Sequence, residues 1–167
     1  MISLVKQLEA KVIAAMKTVV VDAAKVTGFR ESVAQGLVKS QESDGRPEVI
    51  VAVTPATSEN YASVVINFDV AVSVRLEWCD DPTISEFDEV AALVERQLIR
   101  WNSRANIEDT REALSTDNFR CDGFRLGGGN DSVDADTRPY ISTTQNFTVK
   151  GVFVDDPAET TTENQEA

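Results

Sequence analysis

Histidine is absent from all 167 residues. With it go the Ser-His, Cys-His and His-metal arrangements that usually carry proton transfer near neutral pH. Cysteine is scarce. Cys79 and Cys121 form neither a disulfide framework nor a set of paired metal thiolates. They read as two reduced thiols of a cytosolic protein, a single bridge between them being the other option. No apolar run nears the ~18 residues that cross a bilayer, and no charged-then-apolar segment opens the chain, so cytoplasmic folding without membrane contact is expected. Positive charge is also short: 16 Lys and Arg stand against 28 Asp and Glu, leaving −12. Wrapping nucleic acid needs a basic footprint. An acidic opening through which DNA passes without sticking is compatible with this charge.

What the chain does have is one long alternation. From Val64 to Leu76 the even positions are Val64, Ile66, Phe68, Val70, Val72, Val74 and Leu76. The odd positions between them are Val65, Asn67, Asp69, Ala71, Ser73 and Arg75, mostly small or polar. Side chains on a strand point alternately to its two faces, so this is an antiparallel strand with one face packed and the other solvated. Extended by Glu77 and Trp78 it reaches about 50 Å, against roughly 5 to 6 residues for an ordinary strand. Such a strand outruns the core of one small domain, and its excess is expected to form a hairpin arm or to pair with another subunit.

The remaining elements follow from periodicity and punctuation. Residues 2 to 27 read as a helix, with Ile2, Val5, Leu8, Val12, Ala15, Met16 and Val19 at three- and four-residue steps and Gly28 as the stop. The β-branched Val19 to Val21 weakens its last turns. Residues 29 to 48 read as a short strand or irregular crossing and then a loop, and Val49 to Val53 as a strand. Ser85 is the expected cap, with Asp88 three residues on, of a helix whose apolar face is Phe87, Val90, Ala91, Val94, Leu98 and Trp101. Residues 102 to 118 are polar, with a short helix from Ile107 to Leu114. Phe119 to Leu126 is a strand, Gly127 to Pro139 a polar loop, and Tyr140 to Val154 the second long strand, with Ile141, Phe147, Val149 and Phe153 on one face. The fold class is therefore α+β: an antiparallel sheet of about four strands with two helices packed on one face, as layered architecture requires. A single domain over residues 1–154 is expected.

Chemistry-bearing groupings are few. Without histidine, a metal would need carboxylates, and the segment that gathers them is Gly127, Gly128, Gly129, Asn130, Asp131, Ser132, Val133, Asp134, Ala135 and Asp136. It is similar to one imperfect turn of a glycine-aspartate calcium repeat, but such repeats work in stacked arrays and the EF-hand spacing is missing. A mobile hairpin loop is the preferred reading, so neither a metal nor a cofactor is expected. Cys79 has no histidine to activate it as a nucleophile. Arg96, Arg100 and Arg104 repeat at four-residue steps, which suits ion pairs with a neighbouring subunit, although a solvated helix face is the preferred reading. Trp101 belongs to the apolar stripe, while Trp78 is a candidate interface anchor, as is the Gly127 to Asp136 segment.

Taken together, these elements resemble phage tail terminator proteins of the lambda-like type, also called tail completion or minor tail proteins. The likeness is carried by the opening helix from Ile2, by Val49-Ile50-Val51-Ala52-Val53-Thr54-Pro55, and by Phe68-Asp69-Val70-Ala71-Val72-Ser73-Val74-Arg75-Leu76. The helix from Phe87 to Trp101 and the strand Phe147-Thr148-Val149-Lys150-Gly151-Val152-Phe153 complete it. The resemblance implies a structural virion protein and no enzyme. Its subunits would form a homohexameric ring that caps the tail tube, stops its growth and presents a surface to the head connector. Implied partners are further copies of the chain, the tail tube protein and a connector or neck protein. DNA would pass through without specific binding, and the protein would be assembled in the host cytoplasm into the virion tail. Neck and head-completion proteins share these elements, as does a non-viral adaptor domain.

The last residues carry Asp155, Asp156, Glu159, Glu163 and Glu166 with no Lys or Arg, so −5 of the net charge of −12 sits in a tail whose only apolar residues are alanines. Such a segment cannot offset its ordering entropy by burial. Residues 155–167 are expected to be disordered in the isolated protein, which narrow amide dispersion for these residues would show and wide dispersion would refute.

Overall fold

A computed structural model describes residues 3–20, 26, 28–31, 45–55, 65–77, 84–134 and 140–154. In chain order its elements are α1 (Leu4–Val19), β1 (Gly28–Glu31), β2 (Glu48–Pro55), β3 (Val65–Glu77) and α2 (Ile84–Asn102). A 3-10 turn (Arg104–Asn106), α3 (Ile107–Leu114), β4 (Phe119–Asp134) and β5 (Tyr140–Phe153) follow. The expected long alternation is β3, and it lies mid-sheet in the order β1-β2-β3-β5-β4. Val70 and Val72 lie opposite Val53 and Val51 on one side and opposite Phe147 and Gln145 on the other. Phe68, Val70, Val72, Val74 and Leu76 are all buried, so the packed face is the even one.

The helices complete the core from that side. On α1, Leu8, Val12 and Met16 are buried at four-residue steps, and Ser3 caps the helix by accepting from the Lys6 amide at 3.3 Å. On α2, Phe87, Val90, Val94, Leu98 and Trp101 face inward. Trp101 meets the Phe147 and Phe124 rings edge-on at 6.2 and 5.9 Å, tying the end of α2 to β5 and β4. Phe119 packs edge-on against Phe68, its ring lying over Gly151, where a Cβ would collide with that ring and with the Arg120 carbonyl. Glu9 is buried yet paired, its Oε2 2.9 Å from Lys6 Nζ. Cys121 is buried as a free thiol, and burial pushes its pKa up to about 11 from 9.0. The Gly123 carbonyl accepts from its Sγ at 3.6 Å. A thiol held protonated in this way is no nucleophile near pH 7.

The α+β arrangement, with helices against one face of a mainly antiparallel sheet, is what the sequence implied. Several boundaries differ. Besides four antiparallel strands there is β1, which pairs parallel with β2 from Gly28 to Glu31, so Gly28 opens a strand and does not stop a helix. The first helix ends at Val19, where the β-branched run begins and the chain leaves helical angles at Val20. Ser85 is not the cap of α2. It lies inside the helix, and its hydroxyl bonds Glu86 at 3.1 Å. The short helix Ile107–Leu114 is present as α3, a third helix.

The largest correction concerns the Gly127 to Pro139 loop. Through Asp134 it is strand, because β5 supplies a backbone ladder that needs no apolar side chains: Gly129, Asn130 and Asp131 lie opposite Gln145, Thr144 and Thr143. A bulge after Leu126 sets Gly127 and Gly128 against Asn146, so two residues oppose one. Trp78, Cys79, Asp136 and the expected tail from Asp155 lie outside the described residues.

The facing of β3 gives a direct test. Val72 has no exposed surface, whereas Ser73 points to the other face and shares a hydrogen bond with the Thr144 hydroxyl at 2.8 Å. Val72→Asp should cost about 4 kcal/mol or more by burying an unpaired charge, and Ser73→Asp about 1 kcal/mol for the lost hydrogen bond. Urea unfolding of the two variants checks this, and equal losses would mean that the facing is wrong.

Candidate assembly surfaces

The sheet face away from the helices holds a shallow trough of about 410 Å³. It exists because the residues crossing it are small: Ala52 on β2 and Ala71 on β3 lie side by side, and Gly127 on β4 has no side chain. Thr54, Asp69, Asn146 and Thr148 supply its polar lining. Their hydrogen bonds hold the sheet together: Thr148 Oγ1 donates to Asp69 Oδ1 at 3.2 Å, and Asn146 Nδ2 donates to the Gly128 carbonyl at 3.1 Å. The trough therefore offers shape and a few polar contacts, with Asp69 as its one ionisable side chain.

The second surface is the edge of β4, the end strand of the sheet. Exposed edges need pairing, covering or blunting. Over its first half the edge is covered by polar groups from the helical layer and the turn before it. Thr116 and Phe119 exchange backbone hydrogen bonds, Ser115 Oγ accepts from the Cys121 amide at 2.9 Å, and Asn102 Oδ1 accepts from the Leu126 amide at 3.2 Å. Arg111 Nη2 donates to the Asp122 carbonyl at 3.4 Å. Beyond Leu126 the outward backbone groups have no partner among the described residues. Gly127, Gly128, Gly129, Asn130 and Asp131 are all exposed there, and Asp134 ends the strand. The candidate interface residues of that segment thus stand on an extended edge. Among the described residues, no three acidic or thiol groups gather as a metal site.

Arg96 and Arg100 lie exposed on α2, but the third member of the row departs from it. Ser103 is extended (φ −76°, ψ 134°), and Arg104 opens the 3-10 turn beyond the helix end. Two features were missed in the sequence. Ile84, Ile99 and Ile107 are 51%, 53% and 43% exposed, leaving an apolar component on the outside of α2 and α3. Ile99, set between Arg96 and Arg100 and off the buried stripe, was the available signal. The other is a cluster at the far end of β3, where the Arg75 guanidinium stacks 4.0 Å from the Tyr140 ring centroid and lies 3.4 Å from Glu77.

No family model matches this sequence, and no curated protein matches it. Among solved structures, the chain is similar to one described as "Virion of native gene transfer agent (GTA) particle". The TM-score is 0.50 at 13% identity, and the match covers 91% of this chain and 99% of that one. At that identity the likeness shows a shared fold.

The covering of the β4 edge can be tested at Asn102. Asn102→Ala removes the acceptor of the Leu126 amide and should cost about 1 kcal/mol. The Leu126 amide should then exchange with solvent distinctly faster while amides of β3 keep their protection, as measured by hydrogen exchange. An unchanged Leu126 rate would mean that the edge is covered in some other way.

Proposed function

We propose that this chain is a structural virion protein that forms a ring at the head-proximal end of a phage tail tube, ends tube growth there and presents the surface to which the head joins. The observation that carries the virion reading is the correspondence of fold with a chain of a gene transfer agent virion, which covers 91% of this chain and 99% of that one. The terminator role comes from the sequence resemblance, and the assembly surfaces support it. A subunit with an open strand edge, a recessed sheet face and an exposed Ile99 between Arg96 and Arg100 has surfaces suited to contacts between protein subunits. Heterologous contacts that close by rotation turn such subunits into a ring without free ends. Its partners are then further copies of itself, the tube protein and a connector or neck protein. Its work is assembly, and a net charge of −12 keeps DNA moving past it without specific binding.

A phage lacking this gene is expected to make filled heads and separate tails, some of them overlong, and purified protein added to the lysate should let the two join. Electron micrographs decide between the roles. Joined particles with tails of normal length would refute the assembly reading, and normal-length tails left unjoined would indicate a neck or head-completion role instead.

A further inference from the structure

The ladder fixes which backbone groups of β4 face outward. Leu126 turns its amide away from β5, toward Asn102, and it lies opposite Phe147. Directions alternate along an antiparallel pair, so every second residue of β5 from Phe147 has a β4 partner turned outward. Toward the start of β4 these partners include Cys121 and Phe119, whose outward groups are taken by Ser115 and Thr116. Toward its end they are Gly129, Asp131 and Val133, opposite Gln145, Thr143 and Ile141. None of these three has a partner for its outward amide or carbonyl among the described residues. From Gly127 to Asp134 the edge carries no lysine and no proline; the bulge after Leu126 precedes the open stretch, and Asp131 and Asp134 give it only acidic charge.

We propose that the segment Gly129–Val133 of this edge takes up an extended, cationic segment of another protein as a sixth strand of the sheet. Strand addition uses alternate outward amides and carbonyls for hydrogen bonding, and the three residues present them in sequence. Gly129 carries no side chain to hinder the approach of a second backbone. Charge selects the occupant. Asp131 is exposed mid-segment and Asp134 follows it in a chain of net charge −12, so a Lys or Arg opposite Asp131 is favoured. A second copy of the chain is disfavoured for the same reason. Two such edges paired about a two-fold axis bring their acidic residues together, and like charges on neighbouring strands repel. The inference stands on the edge alone and holds whichever position in a virion the chain occupies.

The test uses the full chain, a short peptide alternating Lys and Val, and the matching Glu and Val peptide as control. The Lys peptide should slow hydrogen exchange of the Gly129, Asp131 and Val133 amides by about tenfold, and the Glu peptide should not. Asp131→Pro removes one outward amide while sparing the bonds to β5, since proline is tolerated where the amide would face solvent. It should abolish the protection, while the Val70 and Val72 amides keep theirs as evidence of folding. Asp131→Asn should weaken peptide binding without abolishing it. Equal protection by both peptides, protection confined to other residues, or full protection in folded Asp131→Pro would overturn the proposal. So would loss of a homo-oligomer in Asp131→Pro without peptide, which would make the occupant a second copy.

Discussion

Everything in this fold depends on the two-sidedness of β3. It is held by β2 on one side and β5 on the other, and it sends its even side chains under the helices and its odd ones to the open face. Because side-chain direction has a period of two, a slip of one residue would turn every valine outward. The register is therefore fixed by burial along a whole strand. The helices are consequences of that surface: α1 covers the β2 side, while α2 reaches over to β4 and anchors there through Trp101.

Where the helical layer stops, the character of β5 changes within one strand. Its core-side residues are Val149 and Phe147, then Gln145 and Thr143. The same row on β3 stays apolar through Val72 and Val74. The helix-facing side thus becomes polar toward the β4 side of the sheet, and this is also where the edge loses its covering groups. α2 ends at Asn102, whose side chain reaches Leu126, and α3 ends at Leu114. β4 then runs on for eight residues, about 26 Å at 3.3 Å each. The reach of the helical layer sets how much edge is left open.

Strong periodicity made most of the core legible in advance. The even face of β3, the stripe of α2 and the apolar face of β5 are patterns in which each buried residue is announced by its neighbours at the proper spacing. Three things were not announced in this way. The glycine-aspartate stretch of β4 is strand only because β5 lies beside it, and no local signal in Gly127-Gly128-Gly129-Asn130-Asp131 says so. A short strand from residue 29 is one of two readings of the sequence, but nothing in it announces the parallel pairing of β1, which depends on β2 for every bond that defines it. The end of α1 follows a local preference, the β-branched run that begins at Val19, although glycine, the clearer stop signal, comes only at Gly28. Of the candidate interface, Arg96, Arg100 and Asp131 are exposed, while the row through Arg104 is broken by Ser103, which sequence spacing alone cannot reveal.

The trough and the open edge meet at one place on β4. A bulge after Leu126 sets Gly127 and Gly128 against a single residue, Asn146, whose side chain then bonds the Gly128 carbonyl. An extra residue in one strand bends it and increases its twist. Gly127 lines the trough at that point and leaves it unfilled, and the strand continues beyond the helices as an uncovered ribbon. A side chain at Gly127 would meet the Asn146 carbonyl at 3.0 Å, and one at Gly129 would meet the Gln145 amide at 2.8 Å. The glycines are therefore where β4 can lie close against β5 while keeping one face hollow and one edge accessible. A sequence selected only for a stable hairpin would place β-branched or aromatic residues here. Glycine in a strand interior costs stability, and what this run gains in exchange is access to its backbone.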